Sequence, residues 1–587
     1  TTPLYPDFQA WESHYSKLKA TPDPLAPFRS TLCQGPEQVR KSLETLFQTE
    51  RDIVKLYTYA HLRHDKDIAA DQPKQAYQRA LGLLHMFNEQ TAWFEPEMLS
   101  LSEATWSTYL QSEVLKPYQH HLEKIYRMKP HTLSADQELL LAAAGRSLQA
   151  THLAFSALND ADLNFGQVKD NTGNIHELTH GSFSMFLQSY DRTLRKNAFQ
   201  NMLKTYQKHE NTLCELLHGQ TQKHLFHART RHFSSCLEAS LYPHQIDFSV
   251  YRNLIETVNA NLSTLHRYME LRKQLLNVNT LHLWDMHVPL TQQQERTYSY
   301  ATAEELVIAS VAPLGASYQE SLRKGLQQER WVDRFENQNK RSGAYSSGCF
   351  DSHPYILMNY KGNLRDVFTL AHEAGHSMHT AHSCTHQPYH FSSYPIFLAE
   401  VASTFNEDLL TRHLLATTQD PNEKLYILNQ KIDDLRSTFF RQAMFAEFEL
   451  WLHETAENST PITPELINAT YLELNRKYFG PTVSIDAEIA HEWARIPHFY
   501  YNFYVYQYAT GVSAALCLSD RVMNGGQTER DAYLSFLSGG SSQPPLTLLK
   551  QAGVDLSTPA PIEAMIGTFN SLVSEFEEVS KISSQVI

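Results

Sequence analysis

Leu364 to Ala381, LRDVFTLAHEAGHSMHTA, is the stretch whose reading decides the fold. Apolar residues fall at Val367, Phe368, Leu370, Ala371, Ala374 and Met378, close to a 3.6-residue period, and no proline interrupts them. The spacing predicts an amphipathic helix. On it, His372 and His376 share one face about 6 Å apart, with Glu373 one residue round from the first. Gly375 is out of place in such a helix, costing roughly 1 kcal/mol against alanine, so it implies a packing or access requirement.

Two imidazoles one turn apart suit one metal ion, and a carboxylate beside them suits a proton acceptor for water held on that ion. A catalytic zinc takes three protein ligands and keeps one position open. Two third ligands compete. His382 lies ten residues after His372, but position 379 is His and not a helix-breaking Gly. In a continuing helix His382 sits about 15 Å along the axis from His372. Glu400 fits better: Pro395 starts a second helix running through Ile396 to Leu410, and a carboxylate among Leu398, Ala399, Val401 and Ala402 is costly to bury unless it binds a metal. Glu407, two turns on, is the alternative ligand, or else the acceptor that orients a ligating imidazole. Asp408 reads as a solvated carboxylate.

The chain has 587 residues, with 42% hydrophobic and 19% charged, which predicts an ordinary globular protein of two or more lobes. A net charge of -14 argues against nucleic-acid and anionic-membrane partners. The basic stretch Lys223 to His232 reads as a solvated helix face. Six scattered cysteines without C-x-x-C spacing suggest free thiols, hence a reducing compartment and a cytoplasmic location. No apolar run of membrane-spanning length is present.

Long helical patterns dominate from about Pro36 to Ala157, the one from Trp106 to Arg127 divided at Pro117. Leu163 to Leu178 reads as a small hairpin turning at Asp170-Asn171-Thr172-Gly173-Asn174. Tyr355 to Tyr360 reads as a strand directly before the metal helix, placed to align an extended peptide through main-chain hydrogen bonds. Gly343, Gly348, Gly539 and Gly540 are read as loop hinges. The sum is a mainly α protein with a small β component near the metal helix. We divide it into a helical lobe with the hairpin, 1–195, and a catalytic lobe, 196–587, holding the metal helix, an edge strand and a Tyr-rich C-terminal helix.

Several motifs in order resemble the oligoendopeptidase F group of the thimet oligopeptidase (M3) zinc metallopeptidases. They are Asn164-Phe165 with the hairpin, Asp191-Arg192 with Arg195, Trp284-Asp285-Met286-His287-Val288-Pro289, and Asp351 to Tyr360. His372-Glu373-Ala374-Gly375-His376, Phe397 to Thr404, and the Tyr-rich segment with Gly539-Gly540-Ser541 complete the series. The resemblance implies one zinc on His372, His376 and Glu400, with Glu373 as general base. It also implies two helical lobes around a deep channel, and endopeptidase action on short unstructured peptides. His498 matches the family's transition-state histidine. Phe503, Gln507 and Thr510 stand where thimet-type relatives carry tyrosines, leaving Tyr501, Tyr504, Tyr506 and Tyr508 as donors.

Treated as one helix from His498, Tyr501 and Tyr508 fall on its stripe, Tyr504 beside it, and Tyr506 well away. Tyr508 and Tyr501 are therefore the expected phenol donors to the oxyanion. Other readings of the same scaffold are a metallocarboxypeptidase or dipeptidase, a zinc-binding helical protein without catalysis, and a metal-free scaffold.

Overall fold

The computed structural model describes residues 1–21, 23–145, 147–291 and 296–582. It is predominantly helical, and its three small sheets have two, two and three strands among the described residues. None of the described helices is long and apolar enough to cross a membrane. All six cysteines are free.

The chain groups into two compact units, each drawn from three stretches. The first comprises Thr1–Ala135, Arg296–Leu410 and Leu518–Gly553; the second comprises Asp136–Glu295, Thr411–Cys517 and Val554–Ile587. The linear division after residue 195 stands as a proposal about sequence segments, separate from this spatial grouping.

In the first unit, helices Pro36–Lys66 and Asp71–Thr91 pack along one another. Trp11, Leu56, Tyr59, Leu83 and Phe87 are buried between the N-terminal helices, and Cys349 and Tyr355 close the same core from the strand layer. Burial of this apolar surface seats the sheet, and Arg51 pins the following turn with a two-pronged bond to Asp351 at 2.5 and 2.9 Å. The Trp106-to-Arg127 pattern forms two helices, Glu103–Leu110 and Gln119–Arg127, with Pro117 in a 3-10 turn, Lys116–Tyr118, directly before the second.

The three-stranded sheet corrects one expectation. Tyr355–Leu357 is its central strand, paired in parallel with Val332–Asp333 and antiparallel with Tyr345–Ser347. Both its main-chain edges are occupied, so it has none to offer a peptide. Tyr345–Ser347 is the edge strand on the side of the metal helix.

Gly540 has a second role: its φ is +52°, and a Cβ there would lie 1.9 Å from the Phe391 carbonyl oxygen. The same oxygen accepts the Ser541 amide at 2.9 Å. Close backbone approach by itself requires a glycine here.

In the second unit the hairpin forms as read, Gln167–Lys169 antiparallel to Ile175–Glu177. The Asp170 carboxylate closes its turn by accepting the amides of Thr172 and Asn174. The Trp284-to-Pro289 motif is an internal brace. Asp285 is fully buried and accepts Arg195 at 2.7 Å and Arg192 at 2.9 Å. Arg272, equally buried, donates to the carbonyls of Asp285 and Val288. Buried charge of this kind is costly unless it is paired and hydrogen-bonded.

Candidate metal centre

The helix predicted from LRDVFTLAHEAGHSMHTA runs from Leu364 to His386. Asn363 caps it, its side chain accepting the Asp366 amide at 3.0 Å. Asp366 in turn accepts the amides of Lys361 and Gly362, which fixes where the helix starts. Glu400 lies near the start of a second helix, Ile396–Thr417.

Gly375 brings the two together. A Cβ at this position would meet the Ala402 carbonyl oxygen at 2.6 Å and the Ser403 Cα at 2.7 Å. The helices therefore touch backbone to backbone one turn from Glu400, which explains a residue that helix propensity disfavours.

Across that contact, Glu400 Oε2 lies 3.4 Å from His372 Nε2 and 3.6 Å from His376 Nε2. Among the described residues these three form the one group of His, Cys, Asp and Glu able to hold an ion, their donor atoms within 4.8 Å of each other. Ligand atoms about 2.0 Å from a tetrahedral ion stand roughly 3.3 Å apart. The donors thus fit one zinc ion in both spacing and chemistry.

Each imidazole is oriented from behind. His372 donates from Nδ1 to Glu407 Oε1 at 2.5 Å, which turns Nε2 toward Glu400 and the site. Burial lowers the His372 pKa, but the Glu407 bond and the charges of Glu407, Glu373 and Glu400 outweigh it and raise it to about 9. His376 is held low, at about 4, by burial and then by His372; the Ala399 carbonyl acts in the other direction. With three carboxylates around two imidazoles, the site favours a cation. We expect Glu407→Gln to weaken zinc binding about 10- to 100-fold, read by competition with a chelator, because the ring loses its charged acceptor.

Glu373 is only 6% exposed. Burial pushes its carboxyl up, against the pull of His372 and with the help of Glu400, to about 7. The Ser346 main-chain amide bonds to this carboxylate, and Ser346 Oγ lies 2.8 Å from Ser377 Oγ. The edge strand is thereby fastened beside the proposed base, a contact for which the sequence carries no signal.

Other expectations resolve as follows. His382 is outside the ligand group because the helix continues through His379 to His386; its ring stacks on Tyr318 at 5.6 Å. His379 is buried, with its ring lying flat on Tyr394 at 3.6 Å and 5°. Glu400 is not selected by burial, since 43% of its side chain is exposed. Asp408, read as solvated, is 3% exposed and accepts a 2.6 Å bond from Ser519.

In the second unit the one-helix premise fails around His498. Pro497–Tyr500 is a 3-10 turn, Asn502 and Phe503 adopt positive φ, and a new helix runs Tyr506–Asn524. The expected grouping nevertheless forms. His498 Nε2 lies 3.2 Å from the Tyr508 hydroxyl, and the Tyr501 and Tyr504 rings stand 5.7 and 6.1 Å from that of His498. Tyr506 is buried against Tyr251, away from this group.

Comparison with known proteins completes the description. Residues 185–568 match the model of peptidase family M3, and residues 97–165 match that of oligopeptidase F. The chain is 42% identical to oligopeptidase PepF of Bacillus subtilis, over 98% of this chain and 86% of that protein. It is 37% identical to group B oligopeptidase PepB of Streptococcus agalactiae, over 98% and 96%. Among solved structures, a putative peptidase from Chlamydophila abortus superposes with a TM-score of 0.95 at 41% identity, covering 98% and 97%. Oligoendopeptidase-F from Enterococcus faecium gives 0.75 at 35%, covering 98% and 99%.

Proposed function

This chain belongs to peptidase family M3, in its oligoendopeptidase F group, and from that premise we propose that it cuts internal bonds of short, unstructured peptides using His372, His376 and Glu400 to hold one zinc ion. It is a zinc metalloendopeptidase acting on oligopeptides. The observation that carries the residue assignment is the convergence of two imidazole nitrogens and one carboxylate oxygen within 4.8 Å, beside a buried glutamate.

Zinc, when bound, makes a water nucleophilic at neutral pH and polarises the scissile carbonyl. Glu373 takes the proton as water attacks and delivers it to the departing amine. Burial pushes this carboxyl up to about 7, which suits it both to accept and to return a proton. His498 and Tyr508, already within 3.2 Å of each other, donate hydrogen bonds to the oxygen that becomes negative. Tyr501, 47% exposed beside His498, is the second phenol of this group.

The substrate's main chain runs along Tyr345–Ser347, the edge strand beside the metal helix, and not along the central Tyr355–Leu357; the Ser346 amide on that edge is engaged by Glu373. Such alignment reads backbone and tolerates varied side chains. The partners of this protein are short peptides. Six free cysteines support a cytoplasmic site of action.

Blocked peptides separate this reading from a carboxypeptidase or dipeptidase. An N-acetylated, C-amidated peptide should be cut at the same internal bond, and within a fewfold of the rate, as its unblocked form. Loss of cleavage on blocking either end would assign the chain to exopeptidase action instead.

A further inference from the structure

Between His498 and Tyr508 the chain takes an uncommon course. Asn502 and Phe503, neither of them glycine, are left-handed in succession, with φ of 53° and 59°. Such backbone persists only where its surroundings over-determine it. Phe503 is 1% exposed, and its amide donates to Glu449 Oε1 at 2.6 Å. Its ring meets Tyr251 edge-on at 5.5 Å and His453 at 4.4 Å. Ser240 Oγ donates to the Asn502 carbonyl at 3.0 Å.

The anchor at Phe503 connects internally to the other end of the turn. His453, one helical turn beyond Glu449, donates from Nδ1 to the Glu449 carbonyl at 2.8 Å. His224 Nδ1 donates to His453 Nε2 at 3.0 Å, and Gln220 Nε2 donates to His224 Nε2 at 3.1 Å. The second proton on Gln220 Nε2 goes to the Tyr500 carbonyl at 2.9 Å, while Gln220 Oε1 accepts Thr151 at 2.9 Å. Gln220, His224, Glu449 and His453 are all buried, so His224 is no part of a solvated basic face. The donor directions close only with both imidazoles neutral, and burial lowers both histidines, His453 to about 4. Burial likewise raises the Glu449 carboxyl to about 8, against the pull of the Phe503 amide, and Glu449 Oε2 has no partner. An uncharged ring of polar groups thus grips Tyr500 and Phe503, between His498 and Tyr508.

We infer that Glu449 is a positioning residue for the reaction: by holding the left-handed turn through Phe503 it sets the His498–Tyr508 pair. The inference rests on the reading of those two residues as oxyanion donors. Glu449 touches neither substrate nor metal; it acts by placing groups that must be correct to within a fraction of an ångström.

The test compares Glu449→Gln with Glu449→Ala on a quenched fluorescent peptide, with zinc content and melting temperature recorded. The glutamine keeps the acceptor and the volume of a neutral acid. It should hold kcat and KM within about threefold of the parent, with an equal or higher melting temperature at pH 7.5. The alanine should lower kcat about 30- to 100-fold, with KM and zinc content unchanged. In a His498→Ala background it should cost several-fold less than in the parent, because one of the two groups it positions is already gone. Ser240→Ala, which loosens the same turn without a core cavity, should lower kcat about fivefold in the parent and by less in His498→Ala. If Glu449→Ala does not fold, the Ser240 pair of measurements decides. Unchanged kcat in Glu449→Ala, or in Ser240→Ala if only that variant folds, would overturn the inference, as would a full loss repeated in the His498→Ala background. Parental kcat in both His498→Ala and Tyr508→Phe would instead overturn the donor reading beneath it.

Discussion

Glu373→Gln should retain one zinc per chain and lose about a thousandfold in kcat, the middle of the range for a positioned acid–base group. Glutamine matches glutamate in size and can still accept the Ser346 amide, so the edge strand keeps its place. The ligand atoms of His372, His376 and Glu400 are untouched. What disappears is the ability to take a proton from water and return it to the leaving amine. KM should change little, because Glu373 is 6% exposed and its contribution belongs to the transition state. Metal analysis beside steady-state kinetics checks both halves. Turnover within tenfold of the parent, with zinc bound, would remove Glu373 from its role.

Gly375→Ala should be nearly as damaging by a different route. Its added methyl would be pressed to 2.6 Å from the Ala402 carbonyl oxygen, and backbone on both sides leaves no flexible side chain to yield. Overpacking of this type costs about 1–3 kcal/mol, and here the strain falls on the contact that sets the distance from Glu400 to both histidines. We expect zinc affinity to fall at least about tenfold, since small displacements of ligands are felt directly at a rigid site, and the melting temperature to fall with it. Helix content by circular dichroism should be unchanged. A variant with parental zinc affinity would show that the helices can part without moving the ligands.

The metal helix was legible because its apolar periodicity and the spacing of its two histidines both occur within 23 residues of contiguous chain. Gly375 announced itself by contradicting that pattern, and the packing reason is now visible. Glu400 is a ligand for a reason other than burial. Its side chain is 43% exposed, and what makes it a ligand is the height at which Gly375 lets its helix cross. The tyrosines show the reverse case. Their grouping around His498 is as expected, yet no single helix produces it. Residues 501 to 505, Tyr-Asn-Phe-Tyr-Val, contain neither Gly nor Pro to mark a break, and Asn502 is the only residue there that tolerates positive φ readily. The Phe503 geometry depends on Glu449, 54 positions away, which no local pattern encodes. Strand order was hidden for the same reason. Tyr355–Leu357 became central only by pairing with Val332–Asp333, a contact between segments whose spacing carries no signal.

Zinc stoichiometry and ligand geometry, read together from metal analysis and X-ray absorption on protein purified without chelator, test the whole account most directly. The expected result is one zinc per chain, with two imidazole nitrogens and carboxylate oxygen at about 2.0–2.2 Å, and no zinc retained by Glu400→Ala. Full zinc occupancy in Glu400→Ala, or a thiolate in the parent's coordination shell, would contradict it.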